Sequence, residues 1–103
     1  MWLEFGDGTP VLLADSFKQR GARLLGLTAY PDRSGEATVC YHFVLPTVSG
    51  ESVFNAKFNT RNRLLPSIAA IYPGAGWQEG AIGERYGVVF RAEATPVAGM
   101  LNS

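Results

Sequence analysis

Cys40 and His42 are the first pair that could do chemistry. They stand two apart in the run Thr38-Val39-Cys40-Tyr41-His42-Phe43-Val44-Leu45, and on a strand that spacing puts both side chains on one face. A thiolate and an imidazole could in geometry share a metal ion or act as nucleophile and base. Two ligands are too few for a closed site, and no CxxC, HxH or carboxylate cluster in the chain completes them. No third group orients the imidazole as a catalytic base. Lone cysteine is among the most buried residue types, so the pair reads as structural.

The other candidates fall away on spacing. Glu79 and Glu84 are five residues apart, about 140° around a helix, so they do not converge as a general acid and base. Each reads as a dipole partner, a solvated charge or a contact to a partner. Asp32 and Arg33 lie in Pro31-Asp32-Arg33-Ser34-Gly35, where turn chemistry accounts for them. Gly74-Ala75-Gly76 precedes a helical stretch, but it follows no strand and lacks the lysine of a phosphate loop. No acid, base, nucleophile, metal or cofactor constellation can be assembled.

The elements that would position such residues are nonetheless clear. At 103 residues the chain is long enough for a modest core without disulfides. A hydrophobic fraction of 47% beside a charged fraction of 17% leaves little surface charge and room for a buried interface. Nine basic and nine acidic residues cancel, so nothing points to nucleic acid or to an anionic membrane surface. A single cysteine cannot close an internal disulfide, which favours a reducing compartment such as the cytoplasm. No apolar run approaches the roughly 20 residues of a membrane span, and the start of the sequence does not resemble a signal peptide.

Thr9 and Pro10 announce a helix running to about Arg20, with Thr9 as N-cap, an apolar side of Val11, Leu12, Leu13, Ala14 and Phe17, and Gly21 as its cap. Residues 1–5 suit an edge strand. Three strands with short turns follow: 23–30 with both faces partly covered, 38–45 as the central strand, and 52–59 alternating Phe54, Ala56 and Phe58 with polar positions. Residues 64–71 place Leu65, Ile68, Ala69 and Tyr72 at helical spacing, with Pro66 in the first turn. Together these predict one α+β domain over 1–92, a two-layer fold in which helices pack on one face of a three- to four-stranded antiparallel sheet. Residues 93–103 have the pattern of a loosely ordered tail.

The stretch 71–90 is the most distinctive. Pro73 and Gly74 break the chain, a helix begins near Gly76 with Glu79 in its first turn and Arg85 in its last, Gly87 closes it, and a short strand spans 88–90. Gly76, Gly80, Gly83 and Gly87 fall along one side of that helix. An interior glycine costs on the order of 1 kcal/mol against alanine, so such a stripe implies close approach of another backbone. That backbone belongs either to this domain's own sheet or to a partner protein.

This stretch resembles the signature Y-P-G-A-x-W-x-E-R-E-x-x-D-x-F-G-I-x-F of the small hydrophilic-arm C subunit of bacterial NADH:quinone oxidoreductase, a family that includes subunits of energy-converting membrane hydrogenases. Tyr72, Pro73, Gly74, Ala75, Trp77, Glu79, Gly87 and Phe90 match it, while Glu84, Tyr86 and Val88 keep its acidic, aromatic and aliphatic positions. Gly80 and Ala81 replace the arginine and second glutamate of its E-R-E core. Leu27-Thr28-Ala29, Tyr30-Pro31-Asp32-Arg33, Val39-Cys40-Tyr41-His42 and Leu65-Pro66-Ser67-Ile68 are similar to further family motifs, so the likeness spans about 11–90. Beyond Phe90 it ends, and the chain looks like a compact version of the family.

The resemblance implies a non-catalytic structural subunit of the peripheral arm of a complex-I-like oxidoreductase or membrane-bound hydrogenase. Its partners would be a large hydrogenase-like or dehydrogenase-like subunit and an iron-sulfur subunit, with iron-sulfur clusters or nickel-iron held in those partners and no cofactor here. It would be cytoplasmic and would meet the membrane only through its complex. The expected interface is Tyr72, Trp77, Glu79, Gly80, Gly83, Glu84 and Tyr86, and a bulky residue at Gly83 should weaken assembly more than folding. The alternative is a stand-alone homodimeric or small-ligand-binding module that kept the fold and lost the assembly.

Overall fold

The computed structural model describes residues 2–4 and 10–92; the expected Thr9 cap and the tail 93–103 lie outside the described residues. In chain order the elements are β1 (Trp2–Glu4), α1 (Pro10–Gln19), β2 (Arg23–Pro31), β3 (Ala37–Thr47), β4 (Gly50–Asn59), β5 (Leu64–Pro66), α2 (Ala75–Tyr86) and β6 (Val89–Arg91). The main sheet has the order β1-β4-β3-β2. β2, β3 and β4 form the antiparallel meander, and β1 joins the far edge parallel to β4.

The alternation of β3 decides where the core lies. Val39, Tyr41 and Phe43 are buried on one face and Leu45 packs beside them, joined by Ala56 and Phe58 of β4. α1 lays Val11, Ala14 and Phe17 on this face, with the Phe17 ring edge-on to Phe43 at 4.9 Å and 5.8 Å from Phe54. Leu12, assigned to the same apolar side, points to solvent instead. The helix closes as a Schellman turn: Ala22 N donates to Phe17 O at 2.9 Å and Gly21 N to Lys18 O at 3.0 Å, with Gly21 at φ 81°.

One strand carries an irregularity, and one expected helix needs correction. In β2 the register slips between Leu24 and Gly26, so Leu25 bulges out. Leu24, Leu27 and Ala29 therefore share the core side, and Leu25 is 53% exposed. The predicted helix over 64–71 does not form. Its first residues pair as β5, parallel to β6. Only one turn follows, with Tyr72 N and Ile71 N both donating to Ile68 O. The helical spacing of Ile68 and Tyr72 belongs to that single turn, and long-range pairing overrides local preference for the rest.

The link between β4 and β5 is pinned by Glu36. Its carboxylate accepts from Thr60 Oγ1 at 2.7 Å, Arg63 N at 2.8 Å and Asn62 N at 3.0 Å. Asn62 and Arg63 both sit at positive φ, 54° and 59°, a conformation costly for non-glycine residues. Glu36 satisfies the two amides that this backbone turns toward one point.

Candidate docking surface

α2 carries the most distinctive sequence and is held from several sides. At its start no side chain caps it; the carbonyls of Tyr72 and Pro73 accept from Ala75 N at 2.9 Å and Gly76 N at 3.2 Å. Tyr72 anchors this turn. Its ring is buried, its hydroxyl donates to Ala22 O at 2.8 Å, and Lys18 Nζ lies 5.0 Å from its centroid. At the far end Gly87 takes φ 70° and donates to Gly83 O, while Arg63 Nη1 donates to Tyr86 O at 3.3 Å.

The inner side of the helix is Ala75, Glu79 and Ile82, at i, i+4 and i+7. Glu79 is therefore not a first-turn dipole partner; the helix begins at Ala75 and the carboxylate turns inward, 5% exposed. Its Oε1 accepts from Ser67 Oγ at 2.6 Å and its Oε2 from Ile68 N at 2.9 Å. The Tyr41 hydroxyl is buried with no hydrogen-bond partner among the described residues. Burial first, and then the Glu79 charge, push it far above the ordinary phenol range.

Gln78, which sequence reasoning passed over, guards an edge. β2 is the last strand of the sheet, and Leu27 N on that edge donates to Gln78 Oε1 at 2.6 Å. A side chain of α2 thus supplies the pairing that an open strand edge would offer to other chains.

The outer side holds Trp77, Gly80, Ala81 and Glu84. Trp77 is 88% exposed. Of the seven expected interface residues, Trp77, Gly80 and Glu84 lie together on this surface, Tyr72 and Glu79 are internal, and Gly83 and Tyr86 are half-buried. The glycine stripe divides in the same way. A Cβ on Gly83 would sit 2.7 Å from Val88 O, so this glycine serves contact within the chain. A Cβ on Gly80 would meet nothing within 4 Å among the described residues. A bulky residue at Gly83 therefore strikes the chain's own fold, whereas one at Gly80 does not.

The Cys40 and His42 pair lies on the opposite face of the sheet. Asn55 Oδ1 accepts from His42 Nδ1 at 2.6 Å, and Nε2 lies 3.0 Å from Thr28 Oγ1. The imidazole ties three strands together. Burial pushes the Cys40 thiol up from its ordinary value, away from nucleophilic use. Among the described residues no group of three or more His, Cys, Asp and Glu could hold a metal ion.

With this geometry in place, comparison with known proteins is direct. The profile of the family described as respiratory-chain NADH dehydrogenase, 30 kDa subunit, matches residues 11–98. The C subunit of NADH-quinone oxidoreductase from Jannaschia sp. (strain CCS1) is 34% identical over 77 residues, 73% of this chain and 37% of that protein. The chain thus spans little more than a third of that relative's length. A solved chain described as Nqo5 of the trypsin-resistant fragment (1-134) in P63 form superposes with a TM-score of 0.61 at 21% identity, covering 87% of this chain and 77% of the other. That likeness shows the fold. The profile match over most of the sequence shows more: the chain belongs to the family of the 30 kDa subunit, or C subunit, of respiratory-chain NADH dehydrogenase.

Proposed function

We propose that the chain is a non-catalytic structural subunit in the peripheral arm of a complex-I-like oxidoreductase, docked on the large subunit through the outer face of α2. The observation that carries this reading is Trp77, 88% exposed on a helix fixed at both ends. Tryptophan is enriched at binding hot spots, where a rigid aromatic fills a partner's pocket at small entropic cost. Gly80 and Ala81 beside it present almost no side chain, so a partner surface can come close to the helix backbone. Electron transfer, iron-sulfur clusters and any nickel-iron centre belong to the partners in this reading. The same role fits a membrane-bound hydrogenase. The chain works in the cytoplasm and reaches the membrane through its complex; among the described residues no helix is long and apolar enough to cross one.

The test is recovery of partners from native membranes with a tagged copy, identified by mass spectrometry. The expected result is a large dehydrogenase-like or hydrogenase-like subunit together with an iron-sulfur subunit. Trp77→Ala should lose about 2 kcal/mol or more of binding, as truncated hot-spot residues do, without change in the thermal midpoint. Undiminished recovery with Trp77→Ala would overturn docking through this face.

A further inference from the structure

Between α2 and β6 runs a groove of about 270 Å³ lined by Gly76, Glu79, Gly80, Gly83, Val88 and Phe90. We infer that it receives an extended segment of the docking partner, and that this segment presents an arginine or lysine to Glu79. The inference rests on the docking reading above and adds the chemistry of recognition.

Charge is the first argument. Glu79 is nineteen-twentieths buried, yet only two donors among the described residues reach it, the Ser67 hydroxyl and the Ile68 amide. A carboxylate offers about four lone-pair sites, so half of its capacity is unused. Neither donor carries a charge. A buried carboxylate without a counter-charge is costly unless its cation comes from elsewhere, and this one borders a groove open to solvent. A basic side chain entering there finds the spare lone pairs. An acidic one is repelled.

Shape is the second argument. One wall is the glycine side of α2, where a Cβ at Gly80 would have nothing within 4 Å, so main chain can approach main chain. The other wall is β6. Val89 N donates to Arg63 O and Arg91 O accepts from Ser67 N, so these two residues face β5. By strand alternation Phe90 turns its amide and carbonyl the other way, toward the groove. An extended segment can pair with them as an added strand, which fixes its register and carries its side chain to Glu79.

The test uses the full chain labelled with nitrogen-15 and short extended peptides, Val-Xaa-Val between blocked ends, with Xaa arginine, lysine, norleucine or glutamate. The arginine and lysine peptides should shift the amide resonances of Gly80, Gly83 and Phe90 and bind about tenfold or more tighter than norleucine, the value of a hydrogen bond to a charged group. Added salt should narrow the gap, and Glu79→Gln should erase it. Because the norleucine comparison is made on the unaltered chain, the result stands even where Glu79→Gln fails to fold. Equal binding of arginine and norleucine peptides would overturn the inference. So would shifts at the same amides caused by the chain's own self-association, which would make a second copy the occupant. If the basic peptides fail while Trp77→Ala still releases the partner, the groove proposal falls and the docking reading stands. If they bind while Trp77→Ala assembles normally, docking through Trp77 falls.

Discussion

Replacing Gly80 and Gly83 separately by alanine sets helix propensity against steric fit within one helix. Both positions are interior to α2, so each substitution gains about 1 kcal/mol from propensity. At Gly80 nothing among the described residues opposes that gain, since the new Cβ meets none of their atoms within 4 Å. Gly80→Ala should stabilise the chain by about 1 kcal/mol and raise its thermal midpoint by roughly 4–8 °C. At Gly83 the new Cβ falls 2.7 Å from Val88 O, well inside contact distance, and the obstacle is backbone. Relieving it means moving β6 away from α2, an overpacking cost of about 1–3 kcal/mol. Propensity cancels between the two variants, so their stabilities should differ by about that cost. Urea unfolding followed by circular dichroism measures the difference. Equal stabilities would refute the close approach at Gly83, and a destabilised Gly80→Ala would show that the outer face of α2 is already covered within the chain. In the partner-recovery assay Gly80→Ala should weaken assembly despite its greater stability.

Tyr72→Phe removes the buried bond to Ala22 O and should cost about 1 kcal/mol, measurable by the same unfolding experiment. Gln78→Ala leaves Leu27 N without its acceptor and reopens the β2 edge; self-association in sedimentation velocity should rise relative to the unaltered chain. The Thr60 hydroxyl, then the Arg63 and Asn62 amides, hold the Glu36 carboxyl below its ordinary value of 4.5. The folded chain therefore binds this proton less readily than the unfolded one. The stability it lends is fully present above 4.5 and is lost as pH falls through the depressed value. Glu36→Gln should flatten this part of an acid-unfolding curve, and an unchanged curve would show that the loop over residues 60–63 does not depend on that charge.

What could be read from the residues was set by how local its cause is. α1, β3 and β4 announce themselves because their periodicity, near 3.6 in the helix and 2 in the strands, is a direct consequence of one buried face, visible in a short window. β5 does not, since its three residues become a strand only by pairing with β6, which lies across α2 in the chain. The bulge at Leu25 likewise depends on register with β3. In the candidate site the glycine spacing was legible and its reasons were not. Gly83 answers to Val88, Gly87 to its left-handed turn, and Gly80 to nothing among the described residues. The inward turn of Glu79 was not legible because its partners, Ser67 and Ile68, lie in a segment that sequence spacing assigns to another helix.

The polar groups around α2 share one effect, and it is placement. Tyr72 joins the start of the helix to the end of α1, Gln78 joins it to the β2 edge, Glu79 joins it to the turn after β5, and Arg63 reaches its last carbonyl, that of Tyr86. Each bond runs from the helix region to a different element, so no single loop movement can free it. A surface helix fixed in this way loses little conformational freedom when it docks, and most of the contact energy of Trp77 is then available as affinity. Each of these bonds runs into a separate joint, and the surface they leave free is a tryptophan beside two residues with almost no side chain. That division of labour suits the docking role proposed above.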